Sequence, residues 1–315
     1  MKQQGVALIT VLSVLAVIAT LSTATLLWQQ TGLQRTEQVL HSSRMLDYMD
    51  AMAVWAETIL LRDQRTSKTD TLQESWALRL APLPFDQGMI RGDLEDMQGR
   101  FNLNNLVVNG KYRPLEAARL QRLLVATGID AGDAEEITHA LRDWLDVDQD
   151  ETLPGGAEDY YYLALTPARR SADQPLLSAT ELLLVRGMTP EIWQKISPYV
   201  VALPGYRPVN VNTAPRAVLL SLSDDMTDML VEDILDRRLS DPFVTVDAFL
   251  AFRKSQQLPN DKLPELKKAS LSVASQFFLL RGSAQIAEQV IQALILIQRN
   301  AQDAIVIQRS SGSDL

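Results

Sequence analysis

The chain has 315 residues, a formal charge of −9, 46 % hydrophobic and 22 % charged residues, and no cysteine. That length holds two domains, or one domain with a large insertion, in an ordinary globular balance. The negative sum counts against a general nucleic-acid binder and suits divalent cations, while the missing cysteine excludes disulfides, thiolate zinc sites and a cysteine nucleophile.

The first element is apolar. Val6 to Trp28 carries no charge, proline or glycine over 23 residues, and about 20 helical residues cross a bilayer. Lys2 precedes it, which places the remainder outside the cytoplasm. The stretch is longer than the apolar part of a cleaved secretory signal and lacks a small-residue cleavage end. A plain single-span anchor remains the competing reading.

Met1-Lys2-Gln3-Gln4-Gly5, followed directly by Val6-Ala7-Leu8-Ile9-Thr10-Val11-Leu12, resembles the leader and start of type IV pilins and pseudopilins. The resemblance implies that residues 1–5 are a leader, removed by a prepilin peptidase after Gly5, and that Val6 becomes a methylated N-terminus. Most members carry glutamate at the position of Thr10, where it is thought to pair with a neighbouring subunit's terminal amine. A chain lacking it suits a tip subunit with no predecessor, a trait of the K pseudopilins of type II secretion.

Helical spacing continues through Leu33, Leu40, Met45, Met52, Trp55, Ile59 and Leu60, and Pro82 is the first proline. A helix from Val6 to about Leu61 would be roughly 85 Å long. Its second half needs an apolar partner, most simply a sheet. Arg62 to Thr71 reads as a loop, Met89 to Asp96 as a strand or strand pair, and Gly99 as a turn. Asp96 to Leu106 resembles the segment of K pseudopilins before their inserted domain; Asn102 and Asn104 read as structural turn residues.

From about Tyr112 to Lys268 the pattern is helical. Pro114 sits at a first helical position and Gly128 closes that helix. Asp133 and Glu136 suggest a capping box, Ser178 and Glu181 another, and Thr189-Pro190 opens a further helix. Two stretches, Ser178 to Thr189 and Asn212 to Leu220, resemble helix-hairpin-helix or SAM-like units. Their DNA-binding versions offer backbone N–H groups to phosphate, but Ser223-Asp224-Asp225 would repel it.

At the C-terminus the period becomes two. Phe277–Leu280, Gln289–Arg299 and Ala304–Arg309 read as strands, with Gly282 and Asn300 marking turns and a helix as the alternative for Ala287 to Gln298. The predicted fold is α+β: a pilin-like long helix on a small antiparallel sheet, with a large all-helical insertion. The core is assigned to 62–110 and 269–315, and the insertion to 111–268, as two SAM-like units at about 111–208 and 209–268.

The densest chemical signal runs from Asp143 to Asp159. Asp146, Asp148 and Asp150 alternate, and Gly155-Gly156 turns the chain toward Glu158 and Asp159. Calcium takes 6–8 oxygens, which such loops supply. It is not an EF-hand, since counting from Asp146 places Glu151 at position 6 and Ala157 at position 12. A solvated acidic loop is the alternative. The resemblance to K pseudopilins implies structural calcium here, with Asp148, Asp150, Glu151, Glu158 and Asp159 as ligands and Asp146 next. Tyr160-Tyr161-Tyr162 reads as core packing, with one hydroxyl free to orient a carboxylate.

No nucleophile elbow, P-loop or dinucleotide fingerprint occurs, and His41 and His139 stand apart from any nucleophile, so no enzyme is expected. The resemblance implies a tip subunit of a secretion pseudopilus that initiates and caps assembly, in the bacterial inner membrane with its bulk in the periplasm. Implied partners are the minor pseudopilins I, J and H, the prepilin peptidase and secreted cargo, not nucleic acid. A single-span DNA-binding protein with helix-hairpin-helix units and a membrane-anchored hydrolase are the alternatives.

Overall fold

The computed structural model describes residues 3–79, 81–85, 88–256 and 266–310, with only the backbone of residues 3–7; Lys2 lies outside the described residues. Helix α1, Gln3–Thr66, is continuous for 64 residues. It passes five residues beyond the predicted end because the Arg62 stretch is polar but holds no helix breaker. From Leu8 to Leu40 every side chain is exposed, and the helix is long and apolar enough to cross a membrane. Hydroxyls that would be stranded there bond back to their own helix, as in Ser13 to the Ile9 carbonyl (2.9 Å) and Thr23 to that of Ala19 (2.8 Å).

Eleven strands occur among the described residues. They are β1 (Leu83–Phe85), β2 (Gly88–Asp96), β3 (Phe101–Asn102), β4 (Val107–Val108), β5 (Lys111–Tyr112), β6 (Val200–Val201), β7 (Val209–Asn210), β8 (Leu271–Ser272), β9 (Phe277–Ile286), β10 (Gln289–Arg299) and β11 (Ala304–Ser310). Five form one antiparallel sheet in the order β1-β2-β9-β10-β11. Gln289–Arg299 is therefore strand, not helix: Ile295 and Ile297 face α1, where Met45, Met49, Met52, Ala56 and Leu60 bury against them.

Gly282 lies mid-strand, opposite Gly92, and not at a turn. A Cβ there would sit 2.9 Å from Met52 Cε and 3.1 Å from Met49 Sδ. The glycine pair lets α1 approach the sheet closely. The turn falls instead at Ala287, whose φ is 52°; Asn300 does mark the next one, its N–H bonding the Asp303 carbonyl.

The other sheet face is covered too. Phe277, Leu279, Leu294 and Leu296 bury against Met97, Val201 and Leu203, the last two from the insertion. The sheet is thus held between α1 and a helical body of α2 (Pro114–Ala126), α3 (Ala131–Leu145), α4 (Asp159–Leu163), α5 (Pro190–Ile196), α6 (Arg216–Ser221), α7 (Asp228–Ser240) and α8 (Val246–Ser255). Gly128, at φ +81°, closes α2 as predicted. The cap of α3 is Asp130, accepting from the Gly132 N–H at 2.8 Å, so Asp133 lies in the first turn and makes no box. The Ser178–Glu181 capping box is present, on a 3₁₀ helix.

Buried asparagines stitch the insertion to its start. Asn102 Oδ1 accepts from the Leu203 N–H (2.8 Å), Asn104 Oδ1 from the Leu176 N–H (2.8 Å), and Asn212 bonds both backbone groups of Phe243 (2.9 Å each). These satisfy buried backbone groups that short strands leave unpaired.

Candidate functional site

The acidic loop joins the C-terminus of α3 to the start of α4. Asp143 anchors it: fully buried, it accepts from the Thr152 N–H at 2.9 Å and hydroxyl at 2.6 Å. The returning chain passes so close that a Cβ on Gly156 would lie 2.2 Å from Asp143 Oδ2 and 2.3 Å from the Thr152 carbonyl. Gly155 takes φ +83° beside Glu136, a conformation that favours glycine. His139 Nδ1 sits 2.8 Å from the Pro154 carbonyl, and Arg186 donates to that of Gly156 at 2.9 Å. The Gly-Gly turn is thereby pinned against α3.

This fold brings three of the six predicted ligands together. Asp146, Asp148 and Glu158 each offer an oxygen within 4.8 Å of the others. Oxygens around one calcium, at about 2.3–2.6 Å from it, lie up to about 5 Å apart. Glu158 is 2 % exposed, and neither of its carboxylate oxygens has a hydrogen-bond partner; Asp146 Oδ1 is buried and unpartnered as well. A buried unpaired carboxylate is costly. Burial, with Asp143, Asp146, Asp173 and Asp148 adding repulsion, pushes the Glu158 carboxyl up to about 8. Burial and its neighbours Asp148 and Asp143 raise Asp146 to about 6, against the opposing charge of Arg142. The donor set is hard, anionic and short of cations, which fits calcium chemistry.

The other three stand apart. Asp150 is exposed and uses its N–H on Asp148 Oδ1 at 3.0 Å, and Glu151 is exposed. Asp159 turns to Ser171, whose N–H and hydroxyl both donate to its Oδ1 at 3.1 Å. Sequence reasoning missed Asp173, which adds charge near Glu158 from a loop 15 positions on. Its signal, a lone aspartate at φ 50°, is conformational and not visible in the letters. The Tyr162 hydroxyl accepts from the Arg186 N–H and orients no carboxylate.

A second carboxylate group, Asp63, Asp70 and Glu74, differs sharply. Arg299 donates to Asp70 and Asp63, while Glu74 accepts from Ser67, Thr71 and Trp76. That cluster holds its own cation. The hairpin acids are likewise matched, Asp224 to Arg122 and Asp225 to Arg253. At the N-terminus, Gly5 and Val6 lie on the α1 backbone, and Thr10 lies one helical turn further on.

Two family models described as type II secretion system protein K match this chain, at residues 99–205 and 209–273. A type II secretion system protein K of Pseudomonas aeruginosa is 35 % identical, covering 78 % of this chain and 76 % of its own. A putative type II secretion system protein K of Escherichia coli K12 is 32 % identical over 98 % of each chain. The crystal structure of the GspK-GspI-GspJ complex from enterotoxigenic Escherichia coli contains a chain that superposes with a TM-score of 0.73 at 28 % identity, covering 89 % of this chain and 99 % of that one.

Proposed function

Because the chain belongs to the type II secretion system protein K family, we propose that it is a minor pseudopilin that begins and caps the secretion pseudopilus. The observation that carries this reading is the division of α1: its side chains are exposed from Leu8 to Leu40, and from Met45 it is the core of a sheet. A solvated helix would not keep such an apolar half. It suits a rod that first spans the inner membrane once and then packs among similar rods, with the head in the periplasm.

In this reading the prepilin peptidase cuts after Gly5, and Val6 becomes the methylated terminus. Thr10, in the usual place of a glutamate, leaves no carboxylate for a preceding subunit's amine. That absence, together with the bulk of the insertion above the sheet, supports a place at the tip. The complex seen for the related chain supports the I and J pseudopilins as neighbours. H, and secreted cargo, complete the proposed partner set. The role is structural; neither catalysis nor nucleic-acid binding is part of it.

Calcium, held by Asp146, Asp148 and Glu158, would supply charge neutralisation to the two buried carboxylates, Asp146 and Glu158, at the ends of this loop. The chain's own residues do the rest: Asp143 and Thr152 set the loop, and Gly155-Gly156 return it. Fixing that loop ties α3 to α4. The test of the assembly role is co-purification of the full chain with the I and J pseudopilins from detergent. A stable ternary complex that no further pseudopilin extends above this chain is expected; a chain recovered alone would refute the role.

A further inference from the structure

Beyond the anchor, α1 carries a second apolar line that the sheet does not use. Val39, Leu46, Val54 and Leu61 follow one another at spacings of 7, 8 and 7 residues. Their average of about 3.67 per turn is close to the 3.6 of a helix, so the line runs nearly straight for roughly 33 Å. It lies about 120° around the helix from Met45, Met49, Met52, Ala56 and Leu60, which face the sheet. Val39 is 69 % exposed, Leu46 57 % and Val54 61 %, while Leu61 is half-buried. Large apolar side chains held in a row in water mark an interaction surface. Val39 stands roughly 16 Å beyond Trp28, so the bilayer that takes the anchor does not cover this line.

Carboxylates flank the line. Asp47, Asp50 and Glu57 fall on the same side of the helix, between the apolar residues. Asp50 meets Arg309 of β11, while Asp47 and Glu57 form no ion pair among the described residues. The one arginine or lysine between 39 and 61 is Arg44, about 120° away around the helix. An apolar seam edged by charge is how one helix selects another, and carboxylates call for a cationic partner. A second copy of this chain is the wrong occupant, because its seam would set carboxylate against carboxylate.

We propose that this seam seats the long helix of one neighbouring pseudopilin, and that the occupant carries lysine or arginine beside an apolar line of its own. The inference rests on the pseudopilin reading of α1 and adds to it the face that is used and the charge that is chosen. Val39, Leu46, Val54 and Leu61 bury against the neighbour and supply affinity. Asp47 and Glu57, uncommitted within this chain, set the partner and its register. Because the seam is nearly straight, the two rods run side by side with little left-handed supercoil.

The chain has no cysteine, so a single introduced one reports on one position. Ser43 is exposed on the seam, and Ala51 is exposed on another flank of the helix. Full-length Ser43→Cys and Ala51→Cys, each carrying a benzophenone, are illuminated in membranes that hold the I and J pseudopilins, and the adducts are sequenced by mass spectrometry. Ser43→Cys should join one of these pseudopilins within its long helix, next to lysine or arginine, at least tenfold more than Ala51→Cys does. Combining Asp47→Lys with Glu57→Lys should cut that adduct at least tenfold while leaving the melting temperature unchanged, and replacing the partner's cation by glutamate should restore it. Co-purification with I and J without a Ser43→Cys adduct would overturn the proposal and leave the pseudopilin reading standing. A chain that co-purifies with neither would overturn both. An adduct in a helix lacking cations there, equal yield from Ala51→Cys, or indifference to the charge reversal would also overturn the proposal.

Discussion

Arg299, at the end of β10, places its Nη2 2.6 and 2.5 Å from the two carboxylate oxygens of Asp70, 229 positions away in the chain. The same guanidinium reaches Asp63 on α1 at 3.3 Å and stacks over Phe278 at 4.7 Å. One buried cation therefore ties the long helix, the sheet and the loop leading to the head.

Removing it should be severe. Arg299→Met strands two buried carboxylates, and breaking a buried pair costs about 3–5 kcal/mol. Thermal melts should show that loss, with partial recovery when Asp70→Asn is added. Arg299→Lys should rescue little, because an ammonium cannot span the same fork. A Met variant as stable as wild type would contradict this.

Asp96 gives the junction a pH dependence. It is buried, and desolvation lifts its carboxyl to about 6 despite hydroxyl donors from Ser275 and Thr213. A folded-state value above the unfolded one means its favourable contribution is complete below about 4 and fades as pH rises through about 6. The group contributes at most about 3 kcal/mol. Lowering pH from 7 to 5 should raise the melting temperature less in Asp96→Asn than in wild type; equal slopes would contradict the assignment.

Calcium should stabilise the chelated full chain. The rise in melting temperature should vanish in Glu158→Gln and Asp146→Asn and persist in Asp150→Asn, whose carboxylate lies outside the cluster. Gly156→Ala, which drives a Cβ into Thr152 backbone, should abolish it too. A rise that survives Glu158→Gln would place the ion elsewhere.

Gly282 tests the approach of α1 to the sheet. Its Cβ would crowd the flexible ends of Met52 and Met49 and meet the Ala293 carbonyl at an ordinary 3.8 Å, so alanine should cost little. Leucine should cost about 1–3 kcal/mol through overpacking. Equal melting temperatures for the two variants would argue against a close approach.

Much of this was legible because it is local. An uninterrupted apolar helix, Pro114 at a helix start and alternating Ile295 and Ile297 each announce themselves within a few residues. Gly282 misled because a glycine in a strand reads as a turn, and only the methionines of α1 explain it. Asp130 outcompeted Asp133 as a cap because it precedes Gly132 by two positions. Arg299 carried no signal, since its partners arrive from far along the chain. In the acidic loop the letters gave the carboxylates, but the Gly-Gly return and the Ser171 contacts decided which converge.

The most direct measurement is the mass of the N-terminal peptide of the chain recovered from native membranes. A first residue of Val6, bearing a methylated amine, is the result the pseudopilin account predicts. An intact Met1 on a chain that spans the bilayer and joins no other pseudopilin would contradict it.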